Sequence, residues 1–457
     1  MWNKKKSLIT IAILSSAMNF YASAEETSAN DVSGEFDKGY FKFTSEDGNF
    51  EWKFDGRIML DTKSISKHEG ENLISTNTDL RRARFAIKTR FYKDWAGEFD
   101  IDFKDNEAKV KDMWVSYDPF ERATIKVGNH KPFFSMAEVT TSRWYPLMET
   151  SSISDFSGAG RRVGISFSYW DPRYFVGASL FGEKVGQNDK KDDLVDSNIL
   201  DTILGAAEDG DSFEDAVDDI NDDIEALELA STASERTGYS ARALYRPIIN
   251  ADATRFFHIG GSVQSTSPFA SKLDSIKAEG EVHGIAFISQ KLRPWKGLHV
   301  DEVKATSIEL AARFDKFYFQ SEYIQNDFSF KGENSGIEYN VDGYYAEVSY
   351  FILGKGRPYN LTDGEFGAVI PQGKSELEFI VRYDTLDANN DTTYINNKGK
   401  VKDLTSGELT NLTLGLNWYV NSNVVIRLNH SMIETDENAD IADADVTITA
   451  ARVEFLF

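Results

Sequence analysis

The chain has no cysteine and only nine prolines in 457 residues. Without cysteine no disulfide can staple the fold, so stability has to come from burial or from backbone hydrogen bonding. Long apolar runs are also missing. Mean hydropathy is −0.41, and the one stretch that stands out, Leu8 to Ala17, is too short to span a bilayer as a helix. Basic residues are scarce beside acidic ones, 50 against 74, for a formal net charge of −24. A surface this acidic argues against nucleic acid as a partner.

What is present begins with that short apolar stretch. It follows Lys4, Lys5 and Lys6 and runs into "YASAEE". A basic start, a short apolar core and a small-x-small ending describe a secretory signal peptide over residues 1–24, with cleavage between Ala24 and Glu25. A periplasmic N-terminal segment over 25–49 follows.

From Phe50 onward the chain alternates with period two. "FEWKFDGRIML" places Phe50, Trp52, Phe54, Ile58 and Leu60 on one face and Glu51, Lys53, Asp55 and Arg57 on the other. "RRARFAIKTRF" sets Ala83, Phe85, Ile87 and Phe91 against Arg82, Arg84, Lys88 and Arg90. The chain ends on "ARVEFLF", where Val453, Phe455 and Phe457 share a face opposite Arg452 and Glu454, and Leu456 fits less well. Alternation suits strands whose two faces meet different solvents. A soluble sandwich would alternate as well. Here, however, the segments run to about ten residues, the length a tilted strand needs to cross a bilayer. Tyr and Trp recur near segment ends, as at Trp95, Trp114, Tyr117, Trp170, Tyr174, Trp418 and Tyr419, where an interfacial girdle would want them.

Connections alternate in length. Tight turns are expected at Lys93-Asp94, Asp118-Pro119, Asp171-Pro172, Asp315-Lys316 and Asn421-Ser422, with longer polar connections between them. Seventeen candidate segments reduce to 16 once the tight Asp315-Lys316 turn is placed on the periplasmic side. The candidate near 277–290 then joins a long external loop. Gly354 to Lys374 is left as a long connection on the short-turn side. The expected fold is an all-β, 16-stranded antiparallel transmembrane barrel over residues 50–457. Its outer face is apolar for lipid, its inner face is charged for water, and its backbone is fully paired within the sheet. Sixteen strands leave an aqueous channel rather than a packed interior.

Two connections are unusual. Residues 129–160 carry Lys131, Arg143, Trp144 and Tyr145. Residues 186–234 are strongly acidic: between Asp189 and Glu228 there are 16 Asp or Glu against two lysines. Phe213, Ala216, Val217, Ile220, Ile224 and Leu227 recur there at helical spacing behind Ser212 and Asp215, so the external insert is either a short amphipathic helix or a disordered acidic loop. No regular calcium-loop spacing is present, and no metal or cofactor site is expected.

Several stretches resemble the phosphate-selective porins O and P of Gram-negative outer membranes. They are "SEDGNFEWKFDGRIMLD", "RRARF", "KDWAGEFDIDF", "IKVGNHKPF", "TTSRWYPLMETSSISDF", "GYYAEVSYFILGKGRPYNLTDGEFG" and "LGLNWYVNSNV". The resemblance implies a homotrimer of 16-stranded barrels seated in outer-membrane lipid and lipopolysaccharide. It also implies a third loop, 129–160 here, folded inward as a constriction. Carried over by position, Arg57, Arg81 and Arg82 match basic wall residues and Arg143 a basic residue at the constriction. Where phosphate-selective members carry a further lysine just before "TTSRW", this chain has "AEV", ending at Val139.

Basic groups in a water-filled constriction replace part of an anion's hydration, and the planar fork of Arg suits phosphate-like oxygens. The candidate pore-lining residues are therefore Arg57, Arg81, Arg82, Arg84, Lys88, Arg90, Lys131 and Arg143, and the expected solutes are small anions such as phosphate or pyrophosphate. Two alternatives stay open. Glu98, Asp100 and Asp102 run beside the basic row, so the pore could be general and weakly selective. A barrel plugged by its loops with an adhesive or structural role is the other. No GxSxG, HExxH or glycine-rich phosphate loop occurs, and the six histidines are scattered, so the chain is not read as an enzyme.

Overall fold

The computed structural model describes residues 32–37, 40–67, 75–185, 237–267, 276–278, 287–290, 298, 300–371, 373–390, 392–396, 399–439 and 441–457. The signal peptide and the acidic 186–234 insert expected above lie outside the described residues. Sixteen antiparallel strands form one closed sheet: β1 (Phe50–Lys67), β2 (Ser75–Phe91), β3 (Trp95–Asp102), β4 (Lys109–Phe120), β5 (Ala123–His130), β6 (Arg162–Trp170), β7 (Tyr174–Phe181), β8 (Gly238–Ile249), β9 (Arg255–Thr266), β10 (Val300–Phe314), β11 (Phe317–Phe330), β12 (Glu338–Leu353), β13 (Glu376–Asp387), β14 (Glu408–Tyr419), β15 (Val424–Thr435) and β16 (Asp445–Leu456). Each pairs with the next, and β16 returns to β1 from Leu456↔Arg57 to Val446↔Lys67. The segment near 277–290 stands apart from the barrel sheet as a small pair, Ile276–Ala278 with Ile288–Gln290.

The terminal aromatic closes the seam. The Phe457 N–H donates to the Gly56 carbonyl at 3.0 Å, and its ring fills the space a side chain at residue 56 would need. Just beyond that point the same edge of β1 is taken by an N-terminal hairpin, Val32–Asp37 with Tyr40–Ser45, which pairs from Phe41↔Phe54 to Thr44↔Glu51.

The two faces separate as period-two alternation requires. Ile58, Leu60, Val453 and Phe455 are exposed on the outside, while Arg57, Met59, Arg452 and Glu454 are buried inside. Leu456, the residue that breaks the terminal pattern, is turned inward and buried. At the short-turn end the outer face carries aromatic pairs. Trp95 lies 4.6 Å from Tyr117, Tyr174 5.1 Å from Tyr245 and Phe317 4.9 Å from Tyr350, centroid to centroid. This is the amphipathic belt expected at a membrane boundary. One turn is displaced from its expected position: Asp118 and Pro119 belong to the irregular end of β4, and the turn falls at Glu121-Arg122.

Two findings correct the expected interior. First, the inner face is not charged throughout. Ile324, Phe328, Tyr339, Val341, Leu386, Leu409, Ile433 and Ile448 point inward at the long-loop ends of their strands. They form one buried apolar cluster with Phe134 and Ile153 of the β5–β6 connection. Strand alternation sets only which way a side chain faces. The chain fills this side of the mouth, so the inward residues there meet protein rather than water. Second, the long connection expected from Gly354 to Lys374 on the short-turn side turns into the lumen. It forms a hairpin, Tyr359–Asn360 with Glu365–Phe366, whose Tyr359 and Phe366 pack with the wall residues Phe256, Ala311 and Tyr318.

Leu428 is outward and 47% exposed, midway along β15. Replacing it by Lys should cost about 2–4 kcal/mol, the penalty for a cation facing hydrocarbon at mid-bilayer. Urea unfolding from lipid vesicles measures this.

Candidate functional site

The constriction is built from the connection between β5 and β6, residues 131–161, and from the walls that hold it. Its two short helices, α1 (Met136–Val139) and α2 (Ser152–Ser157), each start on a wall carboxylate. Glu322 of β11 accepts the Met136 and Ala137 N–H groups at 3.0 and 2.8 Å, and Asp384 of β13 accepts the Ser152 N–H at 2.9 Å. These acceptors satisfy N–H groups that a helix leaves orphaned in its first turn.

Between the helices the chain is extended, and its carbonyls are taken by arginines. Arg357 donates to the Trp144 carbonyl at 2.7 Å, Arg427 to Tyr145 at 2.9 Å, Arg452 to Met148 at 2.6 Å and Arg382 to Glu149 at 2.9 Å. Each arginine is also ion-paired: with Glu378 at 2.7 Å, Glu454 at 2.6 Å, Asp61 at 2.7 Å and Glu347 at 3.6 Å, in that order. A guanidinium has five donors in a rigid fork, so it can hold a carboxylate and a carbonyl at once. The Glu149 carboxylate sits among Arg81 at 2.8 Å, Arg82 at 3.1 Å and Arg452 at 2.7 Å. Burial alone would raise its pKa, but the three guanidiniums outweigh that and hold it well below the ordinary carboxylate range.

Opposite this clamp, between the connection and the β1–β5 wall, lies a cavity of about 220 Å³. Its basic lining is Arg57, Arg84, Lys88, Lys126, Lys131, Arg143 and Arg161, and its acidic lining is Asp55, Glu98, Asp100, Asp112, Asp363 and Glu365. Four of the acids are ion-paired. Arg143 bonds Asp55, Lys88 lies 3.1 Å from Asp55 and 3.3 Å from Glu98, Arg84 lies 3.8 Å from Asp100, and Arg161 lies 2.6 Å from Asp112. Arg57 differs. It is 2% exposed, its one hydrogen bond is a 3.5 Å contact to the Thr141 hydroxyl, and no carboxylate pairs with it among the described residues. The Nε of Arg57, the Nε of Arg143 and the indole N–H of Trp144 are buried donors without a hydrogen-bond acceptor, and all three residues line the cavity.

The eight basic residues singled out from the sequence therefore occupy different places. Arg57, Arg84, Lys88, Lys131 and Arg143 line the cavity. Lys131 is tied by its ammonium to the Glu138 and Thr140 carbonyls. Arg81 and Arg82 instead grip Glu149. Neighbours on a regular strand face opposite ways, but the register slips between Met59 and Leu60 opposite them, and such a bulge lets both turn inward. Arg90 lies beside the β2–β3 turn, bonded to the Lys93 carbonyl and half-exposed, outside the cavity lining. Val139, the last residue of the "AEV" that stands where phosphate-selective members carry a further lysine, is itself in the lining.

The arginine clamp has no local signature in the sequence. Alternation already places Arg427 and Arg452 inward, and they are direct cross-strand partners. Their carbonyl acceptors lie about 280 to 300 residues away in sequence, beyond any local pattern. Asp363 and Glu365 carry no local signal for the lumen either, because the connection that holds them lies outside the strand alternation.

A closed, polar-lumened 16-stranded barrel narrowed by a clamped segment defines an outer-membrane channel. The chain belongs to the phosphate-selective porin O and P family, whose model matches residues 52–202 and 296–457. Porin O of Pseudomonas aeruginosa is 24% identical over 443 residues, covering 92% of this chain and 91% of that protein. An uncharacterized protein of Caulobacter vibrioides is 24% identical over 438 residues, covering 92% of this chain and 76% of its own length. Among solved structures, the outer membrane channel DcaP of Acinetobacter baumannii matches with a TM-score of 0.49 at 7% identity, covering 91% of this chain and 99% of that one. Salmonella typhi OmpF in complex with daunomycin matches at 0.48 and 12%, covering 90% and 98%. Membership of that family makes the protein a porin of the bacterial outer membrane.

Glu149→Gln removes the charge that the guanidiniums of Arg81, Arg82 and Arg452 share. Breaking such a buried pairing costs about 3–5 kcal/mol. The segment should loosen from the wall, and single-channel conductance in planar bilayers should rise above wild type.

Proposed function

We propose that the channel passes small anions, phosphate or pyrophosphate among them, by passive diffusion, with Arg57 and Arg143 as the selecting groups. The observation that carries this is the set of buried N–H donors lining the cavity without acceptors, on Arg57, Arg143 and Trp144. Unpaired buried donors are costly, the more so on a cation, and an entering oxyanion supplies acceptors for them. Arg84, Lys88 and Lys131 surround the path, each partly engaged by protein acceptors. Arg81 and Arg82 act through Glu149 by holding the constriction, and Arg90 adds positive potential at the short-turn rim.

A weakly selective general pore is the second reading. It is favoured by the pairing of Asp55, Glu98, Asp100 and Asp112 with cations across the cavity. Family resemblance supports a homotrimer bedded in lipid and lipopolysaccharide, and the basic, apolar and small-x-small pattern of residues 1–24 supports their removal on export.

Reversal potentials in a potassium chloride gradient separate the two readings. Wild type should be anion-selective, and Arg57→Gln should lower the anion-to-cation permeability ratio by about tenfold, or roughly 1.4 kcal/mol. Added phosphate should reduce chloride current in wild type more than in the variant. Equal ratios in the two proteins would leave the general pore standing.

A further inference from the structure

The hairpin Tyr359–Asn360/Glu365–Phe366 enters the lumen from the short-turn side and is fixed there through its backbone. Arg242 of β8 donates to the Asp363 and Gly364 carbonyls at 2.8 and 2.7 Å, and Arg246 donates to Leu361 at 3.0 Å. The Tyr359 hydroxyl lies 2.9 Å from His258 Nδ1. At the turn, Gly364 has φ +66 and a Cβ there would collide with Leu244, so only glycine suits the bend. This anchoring sets the next residue, Glu365, into the lining of the cavity that holds Arg57 and Arg143.

Glu365 is unlike most of the acids around it. It is 5% exposed, its Oε2 has no hydrogen-bond partner, and no ion pair reaches it among the described residues. Asp363 beside it is engaged locally, accepting from Asn360 Nδ2 and the Thr362 hydroxyl. We infer that this hairpin is a second selectivity element of the channel and that the Glu365 carboxyl is the group that modulates its charge, opposing anion passage when ionised. The inference rests on the anion-channel reading above. Seven basic side chains line the cavity against six acidic ones. Neutral Glu365 leaves a surplus of two positive charges, and ionised Glu365 halves it.

The carboxyl is poised between those states. Burial, then the adjacent Asp363, pushes its pKa up to about 8, against the Thr140 hydroxyl, Arg242 and Lys131, which favour the charged form. Below about pH 8 the group is mainly protonated; above it, the cavity gains a negative charge. A unit charge several ångströms from a partly aqueous path changes ion occupancy by about two- to tenfold.

The test is the anion-to-cation permeability ratio of the full-length protein in planar bilayers at pH 6, 7, 8 and 9, for wild type, Glu365→Gln and Glu365→Asp. The wild-type ratio should fall by about two- to tenfold as pH rises through 8. Glu365→Gln should stay at the low-pH value throughout, and Glu365→Asp should keep a titrating fall with a shifted midpoint. Heat-modifiable gel migration confirms that each variant is folded. A pH profile in Glu365→Gln that tracks wild type would overturn the inference while leaving the anion channel intact. A wild type that is cation-selective at pH 6 would instead sink the anion-channel reading. Loss of folded barrel in Glu365→Gln but not Glu365→Asp would assign the carboxylate a structural role and overturn the inference as well.

Discussion

At membrane depth no water is available to a peptide group, so every backbone N–H and C=O has to be paired inside the chain. Continuous pairing around a circle is the one answer open to strands, and the β16–β1 ladder completes it. The remaining features follow from that closure. It gives each strand one face toward lipid and one toward the lumen, and it fixes a lumen wide enough that chain segments can be folded into it. It also explains how an acidic, hydropathically unremarkable chain can live in a bilayer.

The lumen divides its charges between two tasks. On the β12–β16 side, arginines paired to wall carboxylates spend their remaining donors on the backbone of the inward segment, so positive charge there is structural. On the β1–β5 side, most ion pairs flank a cavity in which Arg57 is left without a carboxylate. The same residue type therefore does different work on opposite walls. What distinguishes the cases is the presence of an acid at hydrogen-bond distance, as Glu454 is to Arg427 and as none is to Arg57 among the described residues.

Much of this was legible in the residues. Alternation identified which face Arg57, Arg84 and Lys88 take, and the parity of tight turns placed 277–290 outside the barrel sheet. Tertiary partnerships were not legible. Ile324, Leu409 and Ile433 look like any strand residues until the packed mouth is seen, because alternation reports orientation and not what lies opposite. Arg81 and Arg82 both turn inward only because of a bulge with no sequence signature here. Arg161 and Arg162, for which a strict strand allows one inward residue, escape that rule because Arg161 precedes β6 and reaches Asp112 from outside the ladder.

Glu149 touches Arg81 and Arg82 near the start of the barrel and Arg452 in its last strand. It therefore sutures the two ends of the polypeptide across the seam as well as pinning the segment that carries it. Seating of the constriction and closure by the final strand therefore share Arg452. A chain still lacking its last two strands has neither Arg427 nor Arg452 to receive the segment, so a barrel that has not finished closing has not yet set its bore.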